Sequence, residues 1–334
     1  QPARRTHSDA RLTAGSRLNP PLPSFLPSIP FEVPVAATVP LLVLVALLLG
    51  ELVTRVRVPR LLGYLAAGVG FAWLGEAVGA LPRVPAFGAL AATVEVAAAL
   101  ILFDLGQRVS FAWVLRNPWL ALASVLESAL TFLCVFLALR AFDVKPLIAA
   151  LSAAAAIATS PAILLAVVRE TRAQGQVTER ALLLTAFNCM IAVVVSTLLL
   201  AWALAEREAV FEEFVLHPLY LVFGSLLLAS VAARLLLLVA RVVGRERYVQ
   251  WLVMVAMVSL VVTMAPILKV SSLLALLSFG AFARGFDQSR RLTTMDLGPL
   301  SSAAILLVIT LSAAALSGTT LAFAWGPALA LLLV

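Results

Sequence analysis

The chain has 334 residues, of which 63% are hydrophobic and only 12% charged, with a mean hydropathy of +1.07. A water-soluble protein of this length has no interior large enough for so much apolar surface, so the composition excludes a soluble domain and points to a polytopic membrane protein. The formal charge of +7 would suit a nucleic-acid partner, but the Lys and Arg residues fall mostly in short connections between apolar runs, where they act as an orientation signal.

Residues 1–34 are basic and then Pro-rich, and Pro20, Pro21, Pro23, Pro27, Pro30 and Pro34 preclude a regular helix, so an extended arm is expected. The arm also separates the charged stretch from the first apolar run, unlike a cleavable signal peptide. Beyond it, stretches such as Val39–Leu49 and Leu226–Ala240 are apolar almost all round. This predicts an all-α transmembrane domain over 35–334 rather than the short alternating strands of a barrel. At about 20 residues per crossing, about eleven spans are expected, near 35–54, 61–81, 86–106, 119–140, 146–168, 181–204, 216–240, 249–268, 270–285, 298–317 and 319–334. The chain starts at Gln1 and stops at Val334 inside an apolar run, which reads as a fragment whose transmembrane domain is incomplete at its C-terminus.

Arg55, Arg57 and Arg60 follow the first span, Arg108 and Arg116 the third, Arg169, Arg172 and Arg180 the fifth, Arg241, Arg245 and Arg247 the seventh, and Arg284, Arg290 and Arg291 the ninth. These loops are expected to be cytoplasmic. The loop after the sixth span carries Glu206, Glu208, Glu212 and Glu213 against Arg207 and faces out, which places the N-terminus outside too.

The fifth span is interrupted by Ala158, Thr159, Ser160 and Pro161. Pro161 removes a backbone donor and clashes with the turn before it, while the Thr159 and Ser160 hydroxyls can satisfy freed backbone groups, so a kinked or unwound helix is expected near mid-membrane. The sixth span places Asn188 and Cys189 at about the same depth. A broken helix beside a polar pair is how many secondary transporters build a midplane ion site.

Ionisable groups inside spans are costly and functional by default. Glu51 with Arg55 and Asp104 with Arg108 read as interfacial i,i+4 ion pairs. Glu95 and Glu127 have no local cation, so each needs a partner on another helix, a water-filled cavity or a proton; function and structural hydrogen bonding stand level for them. Arg234 lies inside the seventh span, and His217, beside Pro218, reads as interfacial. Two histidines, one in the arm, make no metal site with Cys134 and Cys189, which read as packing residues. No phosphate loop or nucleophile elbow is present, so neither an enzyme nor a bound cofactor is expected.

Several blocks in order resemble the monovalent cation/proton antiporters of the sodium/hydrogen exchanger superfamily: VPRLLGYLAAG at Val58–Gly68, Glu95 followed by LILFDLG at Leu100–Gly106, ATSPAILLAVVRETRAQG at 158–175, FNCMIAVV at Phe187–Val194, and SFGAFARG at Ser278–Gly285. The resemblance implies a fold of two inverted repeats, a core domain moving against a dimerisation domain in a homodimer, and exchange of Na+ or K+ for H+ in a prokaryotic inner or plasma membrane. It implies crossing broken helices and an adjacent carboxylate that alternately binds proton and cation. Cys189 stands where the family's essential Asp would, Arg108 where the family often has Glu, and a second broken helix is expected beyond Val334. A thiol with a reference pKa of about 8.5 is mostly protonated at neutral pH, and sulfur suits Na+ or K+ poorly. Thr159, Ser160 and Asn188 are therefore expected to supply oxygens to the ion, with Glu95 or Glu127 replacing the missing acid. The alternatives are a degenerate homologue acting as a sensor, scaffold or regulatory membrane subunit, and transport of an anion at a half-helix N-terminus.

Overall fold

The computed structural model describes residues 35–56, 58–78, 88–108, 117–205, 211–243, 246–287 and 298–315. The arm at 1–34 and the span expected at 319–334 lie outside them. Every regular element among the described residues is an α-helix: α1 (Val35–Thr54), α2 (Arg60–Val78), α3 (Gly88–Arg108), α4 (Pro118–Ala141), α5 (Pro146–Ile157), α6 (Pro161–Glu170), α7 (Gln176–Ala205), α8 (Phe211–Val243), α9 (Arg247–Ile267), α10 (Ser272–Phe286) and α11 (Gly298–Ala314).

Among the described residues six stretches are long and apolar enough to cross a membrane, including Pro118–Ala141, Gln176–Leu200 and the broken pair Pro146–Glu170. Three more apolar helices, Arg60–Gly75, Ser272–Phe286 and Pro299–Ala314, are shorter. Glu95, Asp104 and Arg108 all lie within α3, and the eleventh expected span, 319–334, lies outside the described residues.

Local chemistry sets the helix ends. Proline opens α4, α5 and α6, where its missing N–H and fixed φ are no handicap. Three helices close without the usual glycine: Asp143, Arg172 and Lys269 take φ of 58°, 51° and 53°. In each case the next amide bonds back to a carbonyl in the last turn: Val144 to Leu139, Ala173 to Val168, and Val270 to Ala265. A non-glycine residue in this left-handed conformation costs about 1 kcal/mol or more.

The interior is built around α10, in which Leu274 through Ala281 are all buried. It packs on α3, α8 and α9 and touches α7. Two glycines allow the closest approach: a Cβ added at Gly106 would overlap the Leu277 carbonyl oxygen, and one at Gly280 the Phe103 carbonyl oxygen. Small residues that bring backbones together are the usual glue between membrane helices, where lipid removes the hydrophobic driving force. Beside them the Phe103 and Phe279 rings lie 4.7 Å apart at 48°. A second cluster joins α1, α2 and α11 through Leu42, Ala46, Ala67 and Leu311, and a third joins α4 to α5 through Val135, Leu139, Ala149 and Ala153. Outward faces stay apolar: Leu126, Leu130 and Leu137 on α4 and Leu227 and Leu238 on α8 are exposed. Such faces would aggregate in water and suit a lipid surround.

Candidate ion site at the broken helix

The fifth span is two helices rather than one kinked helix. α5 stops at Ile157; Ala158 and Ser160 are extended, with ψ of 107° and 112°. A residue before proline is pushed out of the helical region, and Pro161 is itself ideal as the first residue of a new helix. The Ser160 hydroxyl accepts from the Ile163 amide at 3.5 Å and so caps α6. The ten-residue α6 is held by α2, α3, α7 and α11.

The opened backbone meets the polar pair on α7. The buried Cys189 thiol donates to the Thr159 carbonyl oxygen at 3.3 Å. Asn188, also buried, is turned toward α4. Its Oδ1 accepts from Ser124 Oγ at 2.7 Å and Ser128 Oγ at 3.3 Å, and its Nδ2 donates to Glu127 Oε1 at 3.4 Å. Ser124, Glu127 and Ser128 are spaced i, i+3, i+4 and so share one face of α4. One amide thus links two hydroxyls and a carboxylate on α4 to the helix whose next residue touches the break. Glu127 is otherwise exposed, and its contact with Asn188 is long for a hydrogen bond.

Of the residues expected to form the site, Thr159, Asn188, Cys189 and Glu127 are brought into one connected group. Ser160 is adjacent, with its hydroxyl engaged in capping. Glu95 is not brought in: it lies exposed on α3 without a hydrogen bond or ion pair among the described residues. Ser124 and Ser128 were missed by sequence reasoning, although a Ser-x-x-Glu-Ser pattern around an unpaired membrane carboxylate was the signal for them.

Near α6 a second polar group forms. Buried Asp104 pairs with Arg169 at 2.5 Å and more loosely with Arg108 at 3.7 Å. It also accepts from Ser301 at 3.3 Å, while Arg169 donates to Ser302 at 3.3 Å. The expected Asp104–Arg108 pair is therefore the minor partner. Glu51 was assigned to Arg55 and instead meets Arg60 at 3.2 Å. Chain direction changes between α1 and α2, so the residue at i+9 comes nearer than the one at i+4. Among the described residues no group of three or more His, Cys, Asp or Glu could hold a metal ion.

Apolar helices, one of them broken where a carbonyl meets a buried polar pair on the next, define a polytopic membrane protein of secondary-transporter type. The family model described as "Sodium/hydrogen exchanger, transmembrane" matches residues 41–334, and the chain belongs to that family. It is a family of transporters rather than enzymes, moving cations and protons across the membrane, so the chain is an integral membrane protein of cation/proton-antiporter type. No curated protein matches it.

Proposed function

We propose that this protein exchanges a monovalent cation, Na+ or K+, for H+, with Glu127 serving as the carboxylate that position 189 lacks. The observation that carries this reading is the Asn188 amide, which joins Glu127 to α7 beside the opened backbone at Thr159. An ionised carboxylate in a wet site, with carbonyl and hydroxyl oxygens near, suits a hard cation; the same carboxyl when protonated is neutral and needs none. Glu127 has one long contact, leaving its second oxygen for a proton or an ion. We further propose a homodimer in a prokaryotic inner or plasma membrane, with the N-terminal arm outside as the loop charges suggest.

Reconstituted full-length protein tests this. Na+- or K+-coupled proton flux across about pH 6 to 9 is expected from the parent. Glu127→Gln abolishes it, and Glu95→Gln leaves at least half of it. Flux that survives Glu127→Gln moves the proton elsewhere, and no flux from the parent sinks the exchange reading.

A second reading rests on Cys189, whose thiol contacts the Thr159 carbonyl where the resemblance calls for an acid: the fold is kept in a non-transporting homologue that senses or scaffolds. Gain of exchange on Cys189→Asp, from a parent with none, favours it.

A further inference from the structure

A cavity of about 360 Å3 opens between the ends of α1, α2, α6 and α11 and shares no lining residue with the group around Asn188. Its size is that of a small-ligand pocket. Its walls are polar: Arg60, Arg169 and Arg172 against the single carboxylate of Glu170, with Thr54 and Tyr64 adding hydroxyls.

The charges in the wall are not equally engaged. Arg169 is turned to Asp104 and Ser302. The Arg60 guanidinium meets Glu51, with both side chains more than half exposed, at 53% and 63%. The Arg172 guanidinium has no partner among the described residues. Glu170 is held in a telling way: its two oxygens accept the Arg60 backbone N–H at 3.0 and 3.1 Å. Pro59 precedes α2 and offers no capping side chain, so an acid 110 positions away caps the helix. The wall therefore already contains an anion-binding arrangement, filled by the protein's own carboxylate at a helix N-terminus.

We propose that this cavity binds a phosphate-bearing anion, held by the Arg60 and Arg172 side chains and displacing Glu170 from the α2 amide. A guanidinium fork matches phosphate oxygens in a way that favours phosphate over a spherical anion. The phosphate belongs either to a soluble ion or to a lipid headgroup, since the cavity lies where α1 and α6 end and α2 and α11 begin.

The test uses the full chain in nanodiscs, one set of phosphatidylcholine alone and one containing phosphatidylglycerol. The unfolding midpoint is followed during titration with inorganic phosphate at constant ionic strength. Saturable stabilisation is expected. Arg172→Gln and Arg60→Gln each weaken it about tenfold, the loss of one charge-assisted contact. Glu170→Gln removes the competing carboxylate and tightens binding, whereas a purely structural Glu170 gives only a lower midpoint with unchanged binding and overturns the displacement. Arg140→Gln, an equal charge change outside the cavity, leaves the phosphate affinity at the parent value. Arg172 has no partner to lose, so its ligand-free midpoint stays at the parent value and its result stands even where Glu170→Gln folds poorly. Response to added phosphate in pure phosphatidylcholine assigns the soluble ion; a midpoint raised by phosphatidylglycerol before any phosphate is added, and lost in Arg172→Gln, assigns the headgroup. Absence of both responses, or responses unchanged in Arg172→Gln and Arg60→Gln, overturns the site.

Discussion

Asp104 and Glu127 are both carboxylates on helices that flank the broken span, and their surroundings differ in every respect. Asp104 is buried and receives two arginines and a serine. Glu127 is exposed on α4 and receives one long contact from a neutral amide. A carboxylate whose oxygens are taken by fixed cations has no place for a mobile one; a carboxylate with a single weak partner can change its occupant. The same side-chain chemistry thus makes a clasp in one place and a candidate carrier in the other. The clasp also has a position that suits it: Arg169 and Glu170 are consecutive at the end of α6, and they tie that half-helix to α3 and α2 respectively. The group around Asn188 ties α7 to α4 by two hydroxyls, one amide and the long contact to Glu127.

The most direct way to break this contrast is Arg169→Ala. It strips Asp104 of its nearest cation inside the protein and leaves it only Arg108 at 3.7 Å; breaking a buried pair costs about 3–5 kcal/mol, and the remaining arginine puts the loss toward the low end of that range. A marked fall in the unfolding midpoint in nanodiscs is expected. Replacing both partners, Asp104→Leu with Arg169→Leu, recovers most of the loss, because the penalty lies in the stranded charge more than in the missing attraction. Glu127→Gln, measured alongside, keeps the shape and the single amide contact and shifts stability by less than about 1 kcal/mol. Equal losses for Arg169→Ala and Glu127→Gln would erase the distinction between clasp and carrier.

Cys189→Asp sharpens it from the other side. The thiol is buried against the Thr159 carbonyl, so a carboxylate there points at an oxygen and needs a cation or a proton between them. Its stability is expected to become dependent on Na+ or K+, with about 2.7 kcal/mol of stabilisation at a cation concentration 100 times the dissociation constant. The parent, with a thiol at that point, shows no such dependence from position 189. A variant whose midpoint ignores both ions would show that the Thr159 carbonyl is not part of an ion site.

How far these arrangements could be read from the sequence depends on what each one rests on. The break at Ala158–Pro161 was legible because proline and its neighbours act locally; its form, two helices with Ser160 as cap, follows from the same residues. Asn188 and Cys189 were legible as a polar pair at the right depth. The choice between Glu95 and Glu127 was not, because depth says nothing about which way a helix faces. Asp104 faces α6 and α11, where Arg169 and Ser301 meet it. Glu95 lies nine positions earlier, two and a half turns, and so looks outward. Arg169 as the main partner of Asp104 was hidden for a different reason. The i,i+4 rule sees only Arg108, while the true neighbour arrives through tertiary packing, although loop charges had already placed both at the same membrane face. The short helix Ser272–Phe286 is apolar because it is buried in protein.

The smallest expected effect separates Ser124 from Ser128. Both hydroxyls donate to Asn188 Oδ1, at 2.7 and 3.3 Å, and both are buried. Ser124→Ala removes the shorter bond and should cost about 1 kcal/mol, with Ser128→Ala costing less than half of that, because Oδ1 keeps its better donor. The transport consequence points the same way. With the Ser124 bond gone, the amide is free to rotate, and its hold on Glu127 through Nδ2 weakens. Ser124→Ala should therefore lower the apparent cation affinity of exchange by a few fold, while Ser128→Ala leaves it near the parent value. Identical flux in Ser124→Ala and the parent, with the stability loss still present, would make Asn188 a packing residue and leave Glu127 to act without it.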